Sequence, residues 1–227
     1  MTITTIKTPN RIIMSLTPEL NKHEFLMTLI LVNGCCHKFY ENKTDIYLAE
    51  TFITKNILMS DSLKHYIKKT TNSLIGRKII CDNNKQAKFV LFEEIEKLKD
   101  GRYFVRLHKD SFWLLNNRSD YTLFDGNLMK RLNTIDLLKF YCLMKRWADY
   151  GNYHCYVEWL KWYLNVKNME TYIFLHKYIL KITKYLNKHN FKLQITKCNE
   201  DEKDRKRVTK LIINVFDTYK ELLNEGI

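Results

Sequence analysis

The residues LHKYILKITKYL (175–186) carry two stripes at once. Leu175, Ile179, Ile182 and Leu186 step by four, three and four residues, and Lys177, Lys181, Lys184 and Lys188 repeat those steps two residues later. Two residues are about 200° of rotation on an α-helix, so the stripes occupy opposite faces. One face is made for a core. The other is a rail of cations: from Thr171 to Cys198 there are six lysines and no Asp or Glu. The spacing predicts a helix from about Met169 to His189.

What flanks this helix fixes its context. Downstream, FKLQITKC (191–198) alternates apolar and polar residues, NEDEKDRKR (199–207) is a charged loop, and VTKLIINVF (208–216) is a second apolar run. Two such runs around a polar tip predict a β-hairpin. Upstream, 132–150 predicts an amphipathic helix through Leu137, Leu138, Tyr141, Met144 and Trp147, broken at Gly151-Asn152. A short strand at 153–156 and a short helix at 157–164 follow. Helix, strand, helix, helix and hairpin is the order of a winged helix, a helix-turn-helix with a hairpin appended.

The first half repeats that order. Ser15 to Pro18 reads as a helix start, with Thr17 as cap and Pro18 in the first turn. Leu20, Phe25, Leu26, Leu29 and Val32 supply an apolar face that ends near Asn33-Gly34. An extended piece at 45–48, a short helix at 49–58 and a third helix from Ser60 or Asp61 to about Ile75 follow. Then come a basic segment (Arg77 to Ile80), a polar turn at 82–86, the apolar KFVLF (88–92) and a return strand after Asp100-Gly101. A shift of 112 residues lays Leu63, Ile67, Thr70 and Leu74 on Leu175, Ile179, Ile182 and Leu186, and His65, Lys69 and Asn72 on Lys177, Lys181 and Lys184. The expected fold is α+β, mainly helical: two tandem winged-helix domains related by duplication, at 15–130 and 131–220, after an N-terminal extension at 1–14.

Composition agrees with a folded chain that seeks a polyanion. Of 227 residues 45% are hydrophobic and 13% aromatic, which excludes a disordered chain. Only 6 Gly and 2 Pro argue against a loop-rich or all-β fold. Thirty-eight Lys+Arg against 25 Asp+Glu give a net charge of +13, which points to nucleic acid before an anionic membrane. No apolar run reaches the roughly 18 residues of a membrane span, and the N-terminus lacks a signal-peptide core. The six Cys have no CxxC spacing, so they read as reduced thiols of a cytoplasmic protein. Cys35-Cys36-His37 without a second ligand pair is a poor zinc cage, and neither metal nor cofactor is expected.

In a winged helix the third helix enters the major groove and the hairpin reaches the flanking backbone. The candidate DNA contacts of the second half are therefore Lys177, Lys181, Lys184, Lys188 and Lys192, with Arg205, Lys206 and Arg207 by a wing tip that also carries Glu200, Asp201, Glu202 and Asp204. The first half holds a weaker set, Lys64, His65, Lys68, Lys69, Arg77 and Lys78. Lysines of this kind hold position on phosphates, and base reading falls to exposed residues of the first helical turns. These are Ser62 and His65 in one half, and Asn168, Thr171 and Ile173 in the other. Trp113, Trp147, Trp159 and Trp162 fall on apolar faces and are expected in the core rather than as base-stacking platforms.

These patterns resemble the iteron-binding, theta-type plasmid replication initiators, which are tandem winged helices. The resemblance runs from about Lys7 to Phe216. It rests on NRIIM (10–14) with LTPELNKHEFLMTLI (16–30), LKHYIKKTTNSLIGRKI (63–79), KFVLFEEIEKLKDGRYFVRLHKDSFWLL (88–115), LNTIDLLKFYCLMKRWADYG (132–151) and VEWLKWYLNV (157–166). Where the family carries arginines near the middle of its second recognition helix, this chain has Leu175-His176-Lys177 and Lys181. Lysine is a point charge and lacks arginine's two-pronged contact to guanine.

The resemblance implies a non-enzymatic protein that binds repeated sites in double-stranded origin DNA and bends or opens the neighbouring AT-rich duplex. It implies recruitment of the host initiator and helicase, and a monomer–dimer equilibrium in which dimers repress the gene. The N-terminal domain would make the dimer contact, with KFVLF (88–92) and the region of Phe112-Trp113 as candidate interface. A double winged-helix transcriptional regulator of a mobile element needs the same DNA-facing helices and stays open. A nicking enzyme fits less well: the chain has neither a P-loop, an HExxH nor a His-x-His pair, although it has 14 Tyr.

Overall fold

The computed structural model describes residues 5–15, 19–39, 44–56, 62–80, 88–111, 115, 121–198 and 208–216, with the side chains of 62–66 and a few others outside the description. The chain forms two compact units, Met1–Ile135 and Asp136–Ile227. No described helix is long and apolar enough to cross a membrane.

Unit 1 runs β1 (Thr5–Pro9), α1 (Asn10–Ser15), α2 (Lys22–Phe39), β2 (Asp45–Leu48), α3 (Glu50–Asn56), α4 (Ser62–Leu74), β3 (Lys78–Ile80), β4 (Lys88–Val90), β5 (Phe92–Lys97), β6 (Tyr103–Leu107), β7 (Tyr121–Asp125) and α5 (Gly126–Arg131). The residues expected as an extension are a strand and a helix. β1 pairs antiparallel with β7, setting fully buried Ile6 opposite fully buried Phe124.

Two details of α2 correct the sequence reading. Thr17 and Pro18 lie outside the described residues, and the helix begins at Lys22 under a different cap. Asn21 Oδ1 accepts from the amides of His23 (2.9 Å) and Glu24 (3.0 Å), and Glu24 Oε2 accepts from the Asn21 amide at 2.9 Å. That is a capping box with Asn in place of Ser or Thr. The helix also does not stop at Gly34. A Cβ there would stand 2.7 Å from the Phe52 ring and 2.8 Å from Leu48 Cδ2, so glycine serves close approach to α3 and β2. Every residue from Glu24 to Cys36 is buried, which makes α2 a central helix rather than one with a single apolar face.

The sheet of unit 1 has the order β2-β6-β5, all antiparallel, with β3 and β4 as a separate hairpin. The β5–β6 turn places Gly101 at φ 83°, which suits glycine. Arg106 on the middle strand reaches both neighbours, to Asp45 at 2.9 Å and Glu94 at 2.9 Å. Leu91 and Phe92, expected at a dimer contact, are 2% and 1% exposed and belong to the chain's own core. Phe112 and Trp113 lie outside the described residues.

Unit 2 runs through α6 (Ile135–Trp147), β8 (Asn152–Tyr156) and α7 (Val157–Tyr163). A longer helix, α8, follows in three contiguous pieces: α-helical Thr171–Ile173, π-helical Phe174–Ile179 and α-helical Leu180–Lys188. β9 (Lys192–Cys198) and β10 (Lys210–Phe216) close the unit. Gly151 at φ 77° ends the turn after α6. The sheet order is β8-β10-β9, so the first strand pairs with the second strand of the hairpin, as β2 pairs with β6 in unit 1. α6 is buried all round from Leu137 to Met144 instead of along one stripe, and Lys139 is buried within that run.

Two stability predictions follow. Gly34→Ala gains helix propensity of about 1 kcal/mol. The clash with Phe52 and Leu48 outweighs it, and the variant should melt lower, by an amount matching about 1–2 kcal/mol net. Burial holds the Lys139 ammonium down to about 8, against a smaller opposing pull from Asp136. A cation with a depressed folded pKa destabilises fully below that value, and the penalty fades as pH rises from about 8 to the unfolded value near 10.5. Lys139→Met should therefore raise the melting temperature at pH 7 by the equivalent of a few kcal/mol, roughly. Melts at pH 10 should show a narrower gap.

Candidate nucleic-acid interface

α8 separates its two stripes as the spacing predicts. Leu175, Ile179, Ile182 and Leu186 are 6%, 2%, 5% and 0% exposed. Lys177, Lys181, Lys184 and Lys188 are all exposed. Thr183, buried beside the apolar stripe, donates its hydroxyl to the Ile179 carbonyl at 2.9 Å, so its polar group is satisfied within the helix.

The hairpin is tied to this helix at two places. Asn190 takes a left-handed φ of 64° and turns the chain, and buried Phe191 sets its ring edge-on to Tyr141 at 5.0 Å. Asn187 then clasps the backbone of Leu193: its Oδ1 accepts from the Leu193 amide at 2.7 Å and its Nδ2 donates to the Leu193 carbonyl at 3.2 Å. Further along β9, Lys197 Nζ lies 3.0 Å from His176 Nε2, and the His176 ring stacks on Tyr172 at 4.5 Å. These contacts lay β9 antiparallel along α8. The helix lysines and the exposed Lys192 and Lys197 thus share one surface, with no acid on either element.

The remaining predicted residues are placed as follows. Asn168 is exposed in the turn before α8, Thr171 is half-buried at the helix start and Ile173 is 38% exposed. Arg205, Lys206 and Arg207 lie outside the described residues. In unit 1, Ser62, Lys64 and His65 fall in α4, but their side chains lie outside the description. Ile67, Thr70 and Leu74 are buried, and Lys68, Lys69 and Asn72 are exposed on the other side. Lys78 is exposed at β3.

Arg77 is different. Its guanidinium pairs with the buried Glu24 at 3.3 Å and donates to the Glu19 carbonyl at 3.1 Å, which ties the end of α4 to the start of α2. It is an internal tie, not an outward cation.

Sequence reading missed two features. A cleft of about 530 Å³ in unit 1 lies between α4 and the β5–β6 hairpin and brings Lys68 together with Lys97 and Lys99. Lys97 is committed to Glu50 at 2.6 Å, which leaves Lys68 and Lys99 as the cleft's outward cations. The second feature is the π turn, which the four-three-four spacing conceals.

Aromatic residues of unit 2 form a connected set. Trp147 stacks on Tyr153 at 5.0 Å and Trp159 on Tyr163 at 5.3 Å. Trp147, Trp159 and Trp162 are half-buried. Burial pushes the Cys36 thiol up to about 11 and Cys155 up to about 12, with Cys142 raised as well, so these thiols stay protonated at neutral pH. Among the described residues no group of three His, Cys, Asp or Glu converges as metal ligands would.

No protein-family model and no curated protein sequence matches the chain. Solved structures do. The chain has the fold of an initiator protein that has been solved on DNA. That structure is the crystal structure of Pi initiator protein in complex with iteron DNA, with a TM-score of 0.64 and 16% identity over 94% of this chain and 98% of that one. At this identity the likeness is one of fold.

Asn187→Ala removes both bonds to Leu193 and leaves that backbone underpaired. Unit 2 should lose about 1–3 kcal/mol. Amide exchange at Leu193 should accelerate more than exchange at Ile213, in the middle of β10.

Proposed function

We propose that the chain is a non-enzymatic replication initiator of the iteron-binding plasmid type, acting in the cytoplasm on double-stranded DNA through two tandem winged helices related by duplication. α8 is then the helix that enters the major groove, and the β9–β10 hairpin is the wing. α4 and the β5–β6 hairpin are their counterparts in unit 1. One observation carries the reading: a row of four exposed lysines on α8 lies back to back with a buried apolar row and is continued by Lys192 and Lys197 on β9. An acid-free surface of this kind would only repel itself unless it met a polyanion.

A helix with side chains is about 10–12 Å across and the major groove about 12 Å wide, so one helix fills it. Lys177, Lys181, Lys184, Lys188 and Lys192 hold phosphates on either side. Asn168, Thr171 and Ile173 stand at the end of the helix where base edges are read. Lys68, Lys69, Lys78 and Lys99 supply a second, smaller backbone contact from unit 1. The fold shared with a DNA-bound initiator supports the same reading. Origin opening, recruitment of host initiator and helicase, dimerisation and repression of the chain's own gene complete the role.

Lys177→Ala with Lys181→Ala should weaken binding across all duplex sequences. It should also flatten the plot of log affinity against log salt by about 0.9 per lost phosphate contact. Unchanged affinity and slope would remove α8 from the interface. A footprint on DNA beside the gene should show direct repeats spaced by helical turns. A circle carrying the gene and those repeats should replicate in a host where the empty circle does not, and its failure would leave regulation alone. A covalent tyrosyl–DNA adduct on supercoiled DNA with Mg²⁺ would overturn the non-enzymatic reading.

A further inference from the structure

The outer face of α8 is not made of lysine alone. Tyr172 is 61% exposed, Ile173 38% and Leu180 55%, and all three stand among Lys177, Lys181 and Lys184. On an uninterrupted α-helix this arrangement would not exist. At about 100° per residue, Phe174 would lie about 120° from Leu180, within the arc that holds Lys181 and Lys188, and Tyr172 would lie on the buried side near Ile179. The π turn at Phe174–Ile179 takes up about one extra residue, which rotates everything before it by about 100°. Phe174 is thereby fully buried, and Tyr172 is turned out to stack on His176.

The wide turn therefore brings Tyr172 to within about 20° of Leu180 and moves Ile173 to about 120° from Leu180, beside Lys181, so the three apolar side chains are spread among the lysines of the outward arc. Singly exposed apolar side chains need no explanation. Three on the outward face of one helix, among lysines and with exposed Glu170 only at its very start, call for an occupant that is anionic at its margins and apolar in patches. The major groove has that chemistry: phosphates line both edges, and each thymine presents a C5 methyl that aliphatic and aromatic side chains contact. From Tyr172 to Leu180 is about 12 Å of helix axis, the length of three or four base steps.

Resting on the duplex-DNA reading above, we infer that Tyr172, Ile173 and Leu180 are specificity-determining residues that read thymine methyl groups over three or four consecutive base pairs. The lysines around them hold the backbone. Arginine's fork to guanine is absent from this helix, and these three side chains give it a different alphabet: the methyl of an A·T pair in place of the O6 and N7 of a G·C pair.

The test begins with selection of bound sites by the full chain from a pool of random 20-base-pair duplexes. Each thymine of the recovered site is then replaced by deoxyuridine, which removes the methyl and leaves charge and hydrogen bonding intact. Wild type should lose about fourfold in affinity at each contacted thymine, the worth of one buried methyl. Leu180→Ala or Tyr172→Ala should abolish the loss at one of those positions while keeping the salt slope. Lys177→Ala should lower affinity for every duplex and keep the thymine-to-uracil ratio.

A recovered site indifferent to uracil at all positions overturns the inference and leaves duplex binding standing. So does binding without enrichment of any sequence. An unchanged uracil pattern in both variants, with a shift in sedimentation instead, assigns these side chains to a protein contact and overturns it too. No binding to the pool at low salt overturns the parent reading as well.

Discussion

Phe174 and Leu175 are adjacent in sequence and both are buried, and this pair of side chains sets the geometry of α8. A regular helix can bury two neighbours only across a wide arc. Here the helix meets the demand by opening into a π turn and resuming α geometry at Leu180. A π turn packs its backbone less well than an α turn and persists only where tertiary packing fixes it. Its compensation is that Phe174, Leu175 and Ile179 enter the core together, while Tyr172 and His176 stack on the outside. Packing inside the unit thus decides what the outside presents.

The two central helices explain how so basic a chain stays folded. α2 and α6 are buried along most of their length and leave little surface for charge. The cations are pushed to the flanking elements, α4, α8 and the hairpins, where like charges are solvated and screened over roughly 8–10 Å. Where a cation or carboxylate does go inside, it has a tie: Glu24 accepts from the Asn21 amide and from Arg77, and Lys161 reaches Glu158 at 3.0 Å. At Lys139 burial outweighs the pull of the Asp136 carboxylate, and its lowered pKa records the imbalance. Tyr178 is raised by burial first and by the same carboxylate second, so Asp136, which favours the charged form of Lys139, keeps the Tyr178 phenol neutral.

Much of this was legible in the sequence, for a physical reason. The elements of unit 2 have strong periodicity and clear punctuation: Gly151 at a left-handed φ, an alternating hairpin, and opposed stripes on α8. Strand β2 and helices α3 and α4 came out close to their expected bounds on the same grounds. Misreadings clustered where tertiary contact overrides local pattern. Gly34 looks like a stop, but it is small because Phe52 and Leu48 press on it. Asn21 makes the cap in a stretch where Thr17-Pro18 is the stronger local signal, because Glu24 answers Asn21 across one turn. Thr5–Pro9 has no partner nearby in sequence, and its pairing with β7 spans more than a hundred residues. The π turn leaves no mark in a four-three-four spacing because it lies upstream of Lys181, Lys184 and Lys188.

Arg77 shows how charge alone misleads at a candidate interface. By sequence it belongs with Lys78 and Lys69 as one basic patch, yet its guanidinium is turned inward to Glu24 and the Glu19 carbonyl. Planar, multi-donor arginine suits a fixed internal tie between α4 and α2, whereas lysine on a flexible stem suits a solvated contact. Arg106 likewise joins its strand to both neighbours, while the outward row of α8 is lysine throughout. A surface of point charges holds a polyanion without imposing hydrogen-bond geometry on it. If α8 meets duplex DNA as proposed, discrimination comes from shape and apolar contact, and the exposed Tyr172, Ile173 and Leu180 then matter more to α8 than their number suggests.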